Sequence, residues 1–254
     1  MKYALVNIIS TLLDVLFFQK RLSGIPVLMY HAIGDADSKV YIPVKAFKEQ
    51  MEFLAKQGYH SMLPNALENV APREKFFLIT FDDGFKSVRD VALPILEQYG
   101  FKATVFVTTD YIGKTSEYAK SESDKQFGLM DENDLQMLAE SGWCVANHFA
   151  SHKNLTELSM DGVLGEYKKA CAVLEAMGLG KDKNIVAYPF NRHSQHVVDV
   201  LKKAGAAMGF NGNNQLHSAS EHPLVISRIE ADGNIVKFKL NFSPSFNRIK
   251  QYVR

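Results

Sequence analysis

The sequence predicts a parallel α/β fold, either a barrel or a doubly wound sheet. Short apolar runs alternate with amphipathic helical stretches over almost the whole chain. Polar residues able to do chemistry follow several of those runs directly. In such folds the strand carboxyl ends form the active site, so residues far apart in sequence converge there. Length agrees, because 254 residues suit one α/β barrel.

The runs can be taken in order. Residues 25–30, Ile-Pro-Val-Leu-Met-Tyr, read as a buried strand. Phe47, Met51 and Leu54 fall at i, i+4 and i+7 of a helix that Gly58 ends. Residues 76–81 form a second strand, and 88–99 a helix in which Pro94 predicts a kink. Residues 103–107 are a third strand, 131–140 a helix and 143–146 a strand. A long helix over 159–177 opens on Ser159 as its cap. Strands at 185–188, 206–210 and 224–229, with a helix near 195–204, complete the pattern.

Composition excludes several classes. Hydrophobic residues make up 46%, which supports a sizeable core. With 29 basic and 28 acidic residues the net charge is +1, leaving no electrostatic footprint for nucleic acid. Two cysteines, Cys144 and Cys171, make neither a zinc knuckle nor a disulfide framework.

Residues 1–24 precede the catalytic domain expected over 25–254. Their polar positions Asn7, Ser10, Thr11 and Asp14 share one helical stripe, which predicts an amphipathic helix. The apolar run is shorter than the ~20 residues a spanning helix needs. Lys20 and Arg21 stand where a cleavable leader would carry small residues. The expected location is therefore cytoplasmic or peripheral at the inner membrane. The helix packs either on protein or, through residues 1–22, on a membrane surface with Lys2, Lys20 and Arg21 near headgroups.

Asp82 and Asp83 stand side by side at the end of the second strand. Asp-Gly is also a common turn, but two adjacent buried acids repel, and a cation relieves that. His148 and His152, at i, i+4 spacing, suit two ligands on one metal. One carboxylate and two neutral imidazoles suit Zn²⁺, with Co²⁺, Ni²⁺ or Mn²⁺ as alternatives. A metal with open positions points to hydrolysis. The second carboxylate is then free to act as general base, and a histidine can protonate an amide leaving group.

These residues carry a family resemblance. Thr80-Phe-Asp-Asp-Gly84, Leu93-Pro-Ile-Leu96 and Lys102-Ala-Thr-Val-Phe-Val107 resemble the first motif region of the polysaccharide deacetylases, the NodB-homology carbohydrate esterases. Asn147-His-Phe-Ala-Ser-His152 resembles the second motif, and Ala187-Tyr-Pro-Phe-Asn-Arg192 the third. Pro26-Val-Leu-Met-Tyr-His31 resembles the opening of the circularly permuted branch.

The resemblance implies a distorted barrel of about seven strands. It implies Asp83, His148 and His152 as metal ligands, Asp82 as base, and a third-motif loop of Tyr188, Pro189, Phe190 and Asn191 that binds substrate and oxyanion. The Phe190 N–H of that loop helps hold an oxyanion. The permuted branch places the acid at His31, with His217 and His222 as alternatives in a stretch that reads as surface loop. Arg228, in a Ser-Arg-Ile segment resembling that branch, is expected to orient Asp82.

Four departures bear on substrate more than on metal. Asn191 stands where Gly is common, Ala187 where Arg is usual and Phe149 where Ser or Thr is usual, and Trp143 is the only tryptophan. The expected activity is removal of N-acetyl groups from N-acetylhexosamine units of a bacterial surface glycan, its precursor or a glycolipid. A deformylase or non-sugar amidase on the same scaffold, and a catalytically inactive glycan-binding protein, are the competing readings.

Overall fold

The structure is a computed structural model that describes residues 22–69 and 75–252, together with residues 3, 5, 6, 8, 9, 11 and 12. Those seven early residues are helical; the remainder of the helix expected before residue 22 lies outside the described residues.

A ring of parallel strands forms the body. In chain order the strands are β1 (Val27–Tyr30), β2 (Ala32–Ile33), β3 (Tyr41–Ile42), β4 (His60–Ser61), β5 (Phe76–Phe81), β6 (Thr104–Val107), β7 (Cys144–Asn147), β8 (Ile185–Ala187), β9 (Met208–Asn211), β10 (Ile226–Ser227) and β11 (Ile229–Glu230). The sheet order is β10-β9-β8-β7-β6-β5-β1-β11. Its two edges are one stretch of chain interrupted only at Arg228. β10 pairs with β9, and β11 pairs with β1 (Leu28 opposite Ile229). Taken as one broken strand, β10 and β11 close a seven-membered barrel, as expected. The sequence pattern reads 224–229 as continuous; the structure breaks it where the chain changes pairing partner.

Strand alternation sorts side chains between two cores. Phe77, Ile79, Phe81, Val105 and Val145 join one cluster with Phe47, Met51 and Leu54 of the helix Val44–Lys56. Burying each of these large side chains is worth roughly 1.5–3 kcal/mol. Their neighbours Leu78, Phe106, Ala146, Ala187, Phe210 and Ile226 form a second cluster. Thr80 of β5, Asp82 just after it, His148 after β7 and Arg228 share the parity of that second cluster. The alternation therefore carries the site residues inward above an apolar plug.

Helix ends follow their local chemistry. Gly58, at φ +73°, reverses the chain after Val44–Lys56. Asp131 and Asp134 form a reciprocal capping box on Glu132–Glu140. Ser159 caps Met160–Ala176 through the Gly162 N–H. The expected kink at Pro94 is a wide π-type turn over Val88–Ala92, followed by the helix Leu93–Glu97. The wide turn accommodates the missing proline N–H.

Candidate active site

Asp82 and Asp83 follow β5, His31 follows β1, and His148 and His152 follow β7, all at one end of the barrel. Asp83 adopts a left-handed φ of +72°. Asp tolerates that conformation better than most residues. The turn sends the two adjacent carboxylates to different partners.

Asp82 is buried, and both its oxygens are engaged by one guanidinium. Arg228 Nη1 donates to Oδ1 at 2.6 Å and Nη2 to Oδ2 at 2.7 Å. Arg228 is itself 0% exposed. Its Nε donates to the Asn211 carbonyl, Nη1 also to Thr80 Oγ1 and Nη2 also to the Asn191 Oδ1. The Phe106 ring of the inner core lies 5.6 Å from the guanidinium carbon. Burial alone raises the Asp82 pKa, but Arg228 and then His148 outweigh it, so the carboxyl sits below its ordinary value. A fork of this kind fixes the carboxylate plane as well as its charge.

Asp83 faces the histidines. Its Oδ1 lies 3.3 Å from His148 Nε2 and 3.2 Å from His152 Nε2. The ligand atoms of the three residues lie within 4.8 Å of one another. His148 Nδ1 is 2.8 Å from the Ala187 carbonyl. A carbonyl only accepts, so Nδ1 carries the proton and Nε2 presents its lone pair to the centre. Asp83 Oδ1 is buried and has no hydrogen-bond donor. Burial opposes its ionisation, yet His152 and His148 bring its carboxyl well below the ordinary value. A buried carboxylate oxygen without a donor, facing two imidazole nitrogens, fits a divalent cation. The oxygen and nitrogen donor set suits zinc or a neighbouring transition metal.

The loop after β7 delivers the histidines. Asn147 Oδ1 accepts from the Phe149 N–H at 2.7 Å, and Phe149 and His152 both have positive φ. Glu166 accepts from the backbone N–H and hydroxyl of Ser151. His148 and His152 thus sit on a tight loop, one of the two arrangements their spacing allows. The Phe149 ring leaves the site and packs in an outer cluster with Tyr188.

The third-motif residues divide. Phe190, at φ +58°, is 40% exposed and meets the His152 ring at 4.6 Å. Asn191, at φ +56°, turns its amide toward Arg228. Pro189 is buried. For Tyr188 the structure corrects the expectation of substrate contact. It is fully buried in the outer cluster, and its hydroxyl donates to the Leu224 carbonyl at 2.6 Å. Tyr188 therefore anchors the loop from behind.

His31 is half-buried at the mouth, within electrostatic reach of both Asp82 and Asp83. His217 is far from this end. Its backbone pairs with Ile25, before β1 begins, and its Nδ1 contacts Glu221 at 2.9 Å. It is buried, where the sequence reads as surface loop. His222 Nδ1 is occupied by the Leu224 N–H.

Several contributors escape the sequence pattern. Tyr118 lies in the irregular stretch 112–130; its ring is 4.4 Å from His152, and its hydroxyl is buried without a partner. Burial and then the Asp83 charge raise its pKa well above normal. Lys120 Nζ lies 4.9 Å from the Phe190 ring. Gly212 makes room for Asn191, because a Cβ there would stand 2.3 Å from Asn191 Cγ. Nothing in hydrophobic periodicity marks these positions.

The fold and this site define a parallel barrel with a buried Asp-His-His centre beside an arginine-held aspartate. Residues 69–209 match the polysaccharide deacetylase domain, and the chain belongs to that family. Over 190 residues it is 28% identical to the Bacillus subtilis protein YxkH, whose name places it among polysaccharide deacetylases; the match covers 73% of this chain and 63% of that protein. It is 24% identical over 160 residues to a poly-beta-1,6-N-acetyl-D-glucosamine N-deacetylase of Staphylococcus aureus, covering 59% of this chain and 52% of the relative. The chain thus spans between half and two thirds of the length of these relatives. The fold is shared with the Streptococcus pyogenes deacetylase PplD (TM-score 0.75, 24% identity, 87% of this chain and 98% of that one). It is also shared with IcaB from Ammonifex degensii (TM-score 0.73, 20% identity, 88% and 98%).

Proposed function

We propose that this chain is a metal-dependent hydrolase that removes N-acetyl groups from N-acetylhexosamine units of a bacterial surface polysaccharide, its precursor or a glycolipid. The observation that carries this reading is the pairing of two centres. Asp83, His148 and His152 converge on one point, and Asp82 stands beside them held off by Arg228. The acetylamino substrate follows from family membership and from the named activity of the Staphylococcus aureus relative.

Asp83, His148 and His152 would hold a divalent ion, Zn²⁺ in our assignment, which would supply acidification of a water and polarisation of the amide carbonyl. Asp82, ionised through the neutral range, accepts the proton of the attacking water on a carboxylate oxygen. Arg228 keeps that carboxylate in one orientation and charged. The Phe190 N–H, on its left-handed turn, donates to the developing oxyanion. His31 at the mouth delivers a proton to the amide nitrogen, so that acetate and a free amine leave. Phe190, with its exposed ring, and Lys120 line the approach for the sugar.

An acetate-release assay on a panel of N-acetylated glycans, with metal-stripped and metal-restored protein, tests this. Acetate from an acetylamino sugar, lost on stripping and regained with Zn²⁺, is expected. Formate, or no acetate from any such sugar, would remove the assignment.

A further inference from the structure

We propose that the N-terminal helical segment docks on an anionic membrane surface through Leu5, Ile8, Ile9 and Leu12. These residues fall at i, i+3, i+4 and i+7, one stripe of a helix. They are exposed at 60, 57, 47 and 55%. Most of the large exposed apolar side chains among the described residues belong to this short segment. On the other side of the helix Val6 is half-buried, and Tyr3, still 47% exposed, lines the edge of a cavity of about 460 Å³. The helix thus presents its apolar stripe outward, contrary to how a helix serving only the domain core would lie.

Charge and size decide what covers the stripe. In sequence it is bracketed by Lys2 before it and Lys20 and Arg21 after it, against a single acid, Asp14. Basic residues flanking a short apolar face suit anionic headgroups. Four side chains fall well short of the ~20–30 residues a side in a stable protein interface. Among the described residues no helix is long and apolar enough to cross a membrane. A helix lying in the headgroup plane suits a short outward apolar stripe flanked by basic residues.

The placement has a consequence for access. The cavity that Tyr3 borders is also lined by Asn214, beyond β9, and by Asp232 and Gly233, beyond β11. They lie past the carboxyl ends of their strands, the same end of the barrel as the catalytic residues. Docking therefore holds the barrel mouth beside the membrane, where a lipid-borne or membrane-proximal glycan is presented; that part rests on the proposed deacetylase reading.

Co-sedimentation of the full chain with phosphatidylcholine vesicles, with and without one quarter phosphatidylglycerol, tests the docking independently of any activity. The wild type is expected to pellet with the anionic vesicles, and less so at 0.5 M salt. The double variant I8E/L12E is expected to lose at least tenfold of that binding with an unchanged thermal melting profile. Light scattering without vesicles reports the second occupant. Absence of wild-type binding, equal binding by I8E/L12E, or a stable dimer that I8E/L12E dissociates would each overturn the proposal.

Discussion

Arg228 engages both carboxylate oxygens of Asp82, at 2.6 and 2.7 Å, from the residue at which the barrel closes. Closure and base positioning are thus one device: the chain leaves β9's side at Ser227, joins β1's side at Ile229, and aims the residue between them into the barrel.

Arg228→Lys keeps a charge and loses the fork. The wild-type Asp82 pKa is lowered, so its carboxylate is protonated only at acid pH. Burial acts against ionisation, and weaker compensation by lysine moves the acid limb of kcat/KM to higher pH. A kcat loss of roughly 10–100-fold is expected, the range seen for residues that orient metal-site groups. The same sign governs stability. The pair contributes above the unfolded carboxyl value of about 3.9, and the contribution is lost as pH falls through the lower folded value. A pH–rate profile that does not move would remove Arg228 from this role.

His148→Ala removes a nitrogen donor whose tautomer is fixed by the Ala187 carbonyl. Metal affinity should fall by more than the roughly 10–100-fold typical of outer partners. Metal analysis after dialysis against a competing chelator reads this directly. Retention equal to the wild type would contradict the ligand assignment.

His31→Ala should lower kcat on an amide substrate by about 10²–10⁴-fold, the usual worth of a positioned acid. An activated ester, whose leaving group needs no proton, should be affected far less. Equal losses on both substrates, or none on either, would place the acid elsewhere.

Gly212→Ala puts a Cβ against the Asn191 amide, 2.3 Å from its Cγ, and the amide must leave Arg228. Activity should drop, and Asn191→Gly should restore much of it in the double variant, because the clash is removed. The coupling in a double-mutant cycle is the measured quantity. Additive losses would show that Asn191 and Gly212 act independently.

The barrel was legible in sequence because its strands are apolar runs separated by amphipathic helices, and because strand ends collect the polar residues. Asp82, Asp83, His148 and His152 stood out for chemistry and spacing, and the structure brings them together. The spacing of the two histidines left helix and loop open, since both place i and i+4 near one point. Tyr188 misled because a motif residue's side chain can face either way; its hydroxyl is spent on Leu224. His217 and His222 were read as exposed from their polar neighbours, whereas an antiparallel bridge to Ile25 draws His217 under the barrel. Tyr118, Lys120 and Gly212 were invisible because irregular chain has no period, and their roles arise from contacts between distant segments.

The central claim is that Asp82 activates water for attack on an acetamide beside a metal held by Asp83, His148 and His152. Its most direct measurement is acetate and new amine from an N-acetylglucosamine oligomer, counted together for zinc-loaded wild type and Asp82→Asn. The account predicts acetate and amine in equal amounts from the wild type. It predicts a loss of about 10²–10⁴-fold in the variant, with bound metal unchanged. Near-normal turnover by Asp82→Asn, or a zinc-loaded wild type that releases neither product, would contradict it.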